Sequence, residues 1–168
     1  MGCMSYLLVL LIGVCTGLRT MTPIAVVCWF AYLHHLALTG WRGYAAYLVS
    51  VVIFTLAALG ELYGDKLPTT PSRLSPVGLG ARVVFASLCA AILAEPLVLP
   101  LAIAIGVGIV GALIGSYGGW FVRTRAVAAL KCADWNVAVV EDAVAILMSI
   151  VTLVLASRFV SIDVTAAF

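Results

Sequence analysis

The chain has 168 residues, of which nine are Lys or Arg and seven are Asp or Glu, giving a net charge of +2. Hydrophobic residues make up 65% of the chain, against roughly half in globular proteins, and the mean hydropathy is +1.24. This composition excludes a soluble globular domain, and the absence of any basic block argues against a nucleic-acid partner. We therefore expect one polytopic membrane domain over residues 1–168, with the lipid bilayer as its solvent.

Six hydrophobic segments predict an all-α bundle of about six transmembrane helices, some of them short or broken. The segments run over residues 4–19, 23–38, 44–62, 79–95, 97–122 and 139–160. A membrane helix needs about 20 apolar residues, so the third, fifth and sixth segments are long enough, whereas the first, second and fourth are short. The first two segments either span the bilayer or form a re-entrant hairpin, and the sequence leaves both alternatives open.

The distribution of basic residues in the short loops predicts the orientation of the chain. With six crossings, one side carries seven basic residues, Arg19, Lys66, Arg73, Arg82, Arg123, Arg125 and Lys131, and the other carries only Arg42 and Arg158. We expect the first side to be cytoplasmic and both termini to lie outside.

The sequence G-L-R-T-M-T-P over residues 17–23 joins the first two segments. Two threonines, Thr20 and Thr22, precede the new apolar run, and Thr22 is placed to cap a helix whose first residue is Pro23. The backbone N–H groups of that helix start, with Arg19 beside them, would form an anion site. A tight turn whose arginine reaches the lipid phosphates explains the same residues.

A second candidate stretch follows the third segment. Glu61 and Asp65 are four residues apart and would share a face of a continuing helix. Two neighbouring carboxylates repel each other, so they require a metal ion, a proton, Lys66 or an arginine. The loop that follows is rich in proline and hydroxyl groups and ends in Arg73, which makes it either a clamp for phosphate or carboxylate or a stiff cytoplasmic loop.

Glu141 and Asp142 form the third candidate stretch, at the start of the last segment. The helix dipole explains one acid in a first turn, whereas two adjacent acids before an apolar run require partners. We expect a nearly charge-balanced network between helices, made of Arg19, Arg73, Glu61, Asp65, Glu141 and Asp142. A divalent cation is the cofactor that these carboxylates would accept.

Glycines recur every four residues in the fifth segment. Gly111, Gly115 and Gly119 form a smooth face that lets another helix approach closely, and Gly13 and Gly17 repeat this spacing in the first segment. Helix packing explains this pattern, and a substrate path or a contact within a homo-oligomer is the alternative.

An inverted three-helix repeat would relate the two halves of the chain. Gly13, Gly17 and Arg19 are echoed by a second set, Gly115, Gly119 and Arg123. Three helices in each half would make the repeat inverted in the membrane, as in many transporters.

Three motifs in order carry a resemblance: G-L-R-T-M-T-P, then G-E-L-x-x-D-K-x-P-x-T-P-S-R, then V-V-E-D-A-V-A. They resemble a bacterial family of small integral membrane proteins that is classed only as a domain of unknown function. The likeness spans Gly13 to about Ile150 and implies a multi-pass protein of the bacterial inner membrane. The positions that match the family pattern are Arg19, Glu61, Asp65, Lys66, Pro68, Pro71, Arg73, Glu141 and Asp142. The resemblance implies no activity.

Three functions fit these features. The leading expectation is a small transporter or channel-like protein whose charge network binds a small ion or solute or gates its path, because broken helices surround binding sites in many transporters. The first alternative is a protein that binds or modifies a lipid head group or isoprenoid phosphate, with Arg19 and Arg73 on the phosphate and the acids on a divalent cation. The second alternative is a scaffold that binds another membrane protein. No hydrolase, P-loop or dinucleotide motif is present in the sequence, so an enzyme is less favoured than a binding or transport protein.

The depth of the charges distinguishes these functions. Carboxylates at the level of the head groups would favour the lipid alternative, and a polar pocket at the bilayer midplane would favour transport. A fully paired network without an open cavity would favour the scaffold.

Overall fold

The computed structural model describes residues 2–64, 75–130 and 134–165. Regular structure within these ranges is helical throughout, which agrees with the predicted all-α class. The helices are α1 (Gly2–Leu18), α2 (Met21–Tyr32), a 3₁₀ helix (Gly40–Ala46), α3 (Leu48–Gly64), α4 (Pro76–Leu93), α5 (Leu101–Leu130) and α6 (Asp134–Thr165). Each of the six hydrophobic segments therefore corresponds to one α-helix.

Among the described residues, three helices are long and apolar enough to cross a membrane: Pro76–Leu93, Leu101–Ala129 and Val137–Arg158. The 3₁₀ helix and α3 meet at an angle of 62° and together would count as a fourth span. The helices α1 and α2 are apolar but have only 17 and 12 residues. Twelve residues of helix reach about 18 Å, against a hydrocarbon core of about 30 Å. The count of six spans therefore stays a prediction.

Two predicted helix ends differ from the structure by more than five residues. The second segment was expected to continue to residue 38, but α2 ends at Tyr32, and His34 takes a left-handed conformation with φ of 59°. Helix α5 continues past Val122 to Leu130, because the charged residues that end the apolar run are followed by alanines and a leucine, which favour helix. Charge ends the lipid-facing segment without ending the helix.

Helix α1 lies at the centre of the bundle and packs against α4, α5 and α6. Its contact with α5 is made by backbone: a Cβ atom at Gly17 would lie 2.3 Å from the carbonyl oxygen of Ala112, and one at Gly115 would lie 2.1 Å from that of Val14. Gly111 and Gly13 are packed in the same way, whereas a Cβ atom at Gly118 would meet no atom within 4 Å. The glycine face of α5 thus packs against α1 of the same chain.

The apolar core surrounds this contact. Its largest fully buried side chains come from five helices, namely Leu8, Val9 and Ile12 of α1, Ile24 and Val27 of α2, Val51 of α3, Leu93 of α4 and Leu153 of α6. The outer faces of α3, α5 and α6 are also apolar, and their side chains are exposed, as a lipid environment requires.

Side-chain contacts mark two opposite ends of the bundle. Helices α2 and α3 are antiparallel, since Met21 is bonded to Glu61 near the end of α3 while Trp29 Nε1 donates to Thr55 Oγ1 at 3.1 Å, further back along α3. We call the end that contains Glu61 the Arg19 end. The other, which contains the loop after α4, is the Glu95 end.

Candidate functional site

Arg19 lies at the break between α1 and α2 and is the largest fully buried side chain among the described residues. Its Nη2 forms an ion pair with Oδ1 of Asp142 on α6, and the two side chains are 0% and 10% exposed. Removing one partner of such a pair leaves a buried charge uncompensated, at a cost of about 3–5 kcal/mol. The pair therefore holds the break between two short helices against α6.

Glu61 of α3 supplies the anion at the start of α2. Its Oε1 accepts the N–H of Thr20 and its Oε2 accepts the N–H of Met21, both at 2.7 Å. The first N–H groups of a helix have no partner within the helix, and the helix dipole favours a negative charge beside them. The anion at the start of α2 is therefore the carboxylate of Glu61, a residue of the same chain.

The predicted cap at Thr22 is wrong, because α2 begins at Met21 and Thr22 lies inside its first turn. The carboxylate of Glu61 takes over the cap, and Pro23 occupies a first-turn position where its missing N–H costs nothing. Thr20 contributes its backbone N–H, and its side chain makes no capping hydrogen bond. The Thr22 hydroxyl is buried and has no hydrogen-bond partner within the described part of the chain.

Three of the predicted site residues, Asp65, Lys66 and Arg73, lie outside the described residues. Their pairing with Glu61 and the predicted clamp therefore stay predictions. Of the expected network, the structure brings together Arg19, Glu61 and Asp142 around the start of α2.

Glu141 faces Arg123, an arginine that the expected network did not include. Its Oε2 lies 3.7 Å from Nη1 of Arg123 on α5, and the two side chains are 10% and 18% exposed. Consecutive residues on an α-helix point about 100° apart, so Asp142 faces α1 while Glu141 faces α5.

From the sequence, Arg123 was a determinant of topology and a member of the possible repeat, and its contact with Glu141 was not predicted. The available signal was its position directly after an uncharged run, at the same membrane level as the acids that precede the last segment. Arg82 of α4 was also a determinant of topology, and it is buried, with 6% of its surface exposed.

A cavity of about 540 Å³ lies between α1, α5 and α6, and we call it the α1/α5/α6 cavity. Its lining is Val14 and Leu18 of α1, Ile114, Gly115, Gly118, Gly119, Val122, Arg123 and Ala126 of α5, and Val137, Val140, Glu141 and Val144 of α6. The described lining residues are apolar apart from Arg123 and Glu141. The cavity opens to the surroundings of the protein, since Val122 and Val140 are 64% and 63% exposed.

A second cavity, of about 570 Å³, lies between the first half of α1 and the first half of α5. Cys3, Tyr6 and Leu10 line it from α1, and Gly106 is among its lining residues on α5. None of its lining residues is charged. The two cavities thus differ in chemistry although both lie along α1 and α5.

At the Glu95 end, the structure shows a contact of Glu95, a residue that was not among the predicted site residues. The Glu95 carboxylate accepts hydrogen bonds from the N–H and hydroxyl of Thr39 and, at 3.3 Å, from Nη1 of Arg42. The Thr39 hydroxyl first, and then the Thr39 N–H and Arg42, hold the pKa of Glu95 below its ordinary value of 4.5. These bonds tie the loop after α2 to the loop after α4.

Within the described ranges, no three His, Cys, Asp or Glu side chains are grouped so as to hold a metal ion. Asp65 lies outside these ranges, so the divalent cation expected from the sequence stays a prediction. Comparison with protein-family models, curated proteins and solved structures finds no match to this chain.

Proposed function

We propose that the protein binds a membrane lipid at the cytoplasmic interface of the inner membrane. The apolar chain of the lipid lies in the α1/α5/α6 cavity, and its head group lies at Arg123 and Glu141. The observation that carries this proposal is a cavity of about 540 Å³ whose lining is apolar except for one arginine and one glutamate. Ligand sites typically have about 300–1,000 Å³, largely apolar walls and a few polar groups that fix orientation.

The composition of the lining favours a lipid chain over water. A water molecule needs two to four polar partners, and the aliphatic and glycine lining offers none along most of its length. The cavity is open at the exposed valines of α5 and α6, and in a bilayer the molecules next to those valines are lipids.

The level of the charges supports a head-group site. Helix α5 has no charged residue from Leu101 to Val122, which is about 33 Å of helix and close to the thickness of the hydrocarbon core. Arg123 follows directly. On α6, Glu141 and Asp142 together precede an uncharged run that continues to Ser157, so both charged residues of the cavity lie where the apolar segments end.

The other charged residues at this end support the walls of the cavity. Arg19 and Asp142 join α1 to α6, whereas Glu61 joins α3 to the start of α2, outside the cavity. The Arg19–Asp142 pair thus holds together two of the three helices between which the lipid chain would lie, while Arg123 and Glu141 line the space itself.

Photo-crosslinking tests this proposal. The protein is reconstituted into vesicles that contain a phospholipid with a photoactivatable group in its acyl chain, irradiated and mapped by mass spectrometry. We expect adducts to concentrate at the cavity, on Val122, Val140 and Val144. Adducts spread evenly along the exposed face of α6, with Val151 and Val154 labelled as strongly, would contradict a specific site.

Transport of a small ion or solute is the second candidate function, and it is favoured by the buried Arg19 at a break between two short helices. Discontinuous helices of this kind surround the sites of many transporters. In proteoliposomes, Glu61→Gln and Glu141→Gln should both abolish a proton or potassium flux that the wild type supports. Unchanged flux in both variants would remove this candidate.

A further inference from the structure

We infer that the lipid held in the α1/α5/α6 cavity has a zwitterionic head group with a primary ammonium, as in a phosphoethanolamine lipid. Its phosphate would bind Arg123 and its ammonium would bind Glu141. This inference rests on the proposed lipid binding and adds the class of the head group.

The charges of the cavity carry the argument. Among the described residues, its lining contains one guanidinium and one carboxylate, whose nearest N and O atoms are 3.7 Å apart. An anionic head group would be attracted by Arg123 but repelled by Glu141, whereas a zwitterion presents one opposite charge to each. The two-carbon link of phosphoethanolamine keeps its two charges as close neighbours, which suits two neighbouring side chains.

The two side chains have the hydrogen-bonding chemistry that a phosphate and an ammonium require. The N···O separation of 3.7 Å is longer than a direct N–H···O bond, which has a donor–acceptor distance of about 2.7–3.2 Å. A guanidinium offers N–H donors only, and a carboxylate offers acceptors only. Arginine binds phosphate through two parallel bonds, and a carboxylate accepts strong bonds from an ammonium.

The ammonium must be primary for this site to select it. A primary ammonium has three N–H donors that Glu141 can accept, as a lysine does. A choline head group has the same charge but no N–H donor. Both side chains are largely buried beside apolar walls, where charge-assisted bonds are stronger than in water. The cavity should therefore prefer phosphoethanolamine over both phosphocholine and phosphoglycerol lipids.

A competition experiment tests this preference. Wild type, Glu141→Gln, Arg123→Gln and Arg125→Gln are each equilibrated with equimolar phosphatidylethanolamine, phosphatidylcholine and phosphatidylglycerol with identical acyl chains. The lipids that remain bound are counted by native mass spectrometry. Arg125 is the matched control, because it lies two residues beyond Arg123, stacks on Phe121 at 4.4 Å and does not line the cavity.

We expect the wild type and Arg125→Gln to hold phosphatidylethanolamine in about tenfold excess over either competitor, as one charge-assisted bond allows. Glu141→Gln should still hold lipid but lose this excess in favour of phosphatidylglycerol, and Arg123→Gln should lose all three lipids. The ratio is read within one sample, so a smaller folded fraction does not change it.

Three results would overturn the inference. Wild type that binds the three lipids equally, or prefers phosphatidylglycerol, refutes the head-group assignment while lipid binding stands. Glu141→Gln that keeps the wild-type preference refutes the role of Glu141. Wild type that retains no lipid refutes the proposed function as well.

Discussion

Glu141 and Asp142 are consecutive residues of α6, yet they belong to two different regions of the molecule. Asp142 pairs with the fully buried Arg19, while Glu141 faces Arg123 and lines an open cavity. The first region is a closed junction between α1 and α6, and the second is a space between α5 and α6. One turn of one helix thus supplies one acid to a structural contact and another to the lining of a cavity.

The glycines of α5 show the same contrast. Gly115 lies against the backbone of α1, so that a Cβ atom there would be 2.1 Å from the carbonyl oxygen of Val14. Gly118 faces space, with no atom within 4 Å of such a Cβ. Gly115 thus allows two helices to pack closely, whereas Gly118, three residues further along α5, leaves space beside the helix.

The largest effect is expected from breaking the closed junction. Asp142→Ala leaves Arg19 buried without its carboxylate and should lower the free energy of unfolding by about 3–5 kcal/mol. Glu141→Ala should lower it by a smaller amount, since its pair with Arg123 is longer and Arg123 is more exposed than Arg19. Unfolding of both variants in detergent measures the difference, and equal losses would mean that the two regions do not differ as described.

Alanine at the two glycines should give a smaller contrast. Gly115→Ala forces α1 and α5 apart and should cost about 1–3 kcal/mol. Gly118→Ala introduces no clash and improves helix propensity, so its stability should equal or exceed that of the wild type by up to about 1 kcal/mol. Thermal unfolding of Gly115→Ala and Gly118→Ala beside the wild type measures this difference in stability. A destabilised Gly118→Ala would show that the space beside it is filled by protein.

The smallest effect concerns the Glu95 end, which provides a carboxylate remote from both regions. Since the pKa of Glu95 in the fold lies below 4.5, its contribution to stability is complete above that pH and is lost as the pH falls through the lowered pKa. Between pH 6 and pH 3, the melting temperature of the wild type should fall more than that of Glu95→Gln. Parallel curves would show that its bonds to Thr39 and Arg42 do not contribute to stability.

The sequence predicted the helices better than it predicted their partners. Runs of apolar residues located all six α-helices, and the break at residues 17–23 was correctly placed, because hydropathy and proline act locally. The ends of α2 and α5 were wrong, since local turn geometry and helix propensity decide them more than hydropathy does.

The contacts of the candidate site could not be read from local patterns. Which carboxylate meets which arginine depends on the rotation and depth of helices that are distant in sequence. Glu61 caps α2 from 40 residues away, and Glu141 turns to Arg123 while its neighbour turns to Arg19. Charge balance predicted a network at this end, but only packing separates its structural members from those that line a cavity.

Lipid retention by two leucine variants tests the central claim most directly. Gly118→Leu places a side chain in the α1/α5/α6 cavity, and Gly106→Leu is the matched control, because it lies on the same helix, faces open space and lines the second cavity. The proteins are purified under identical conditions and examined by native mass spectrometry. We predict that wild type and Gly106→Leu retain lipid and that Gly118→Leu does not. Equal retention by both variants would contradict a lipid site in this cavity.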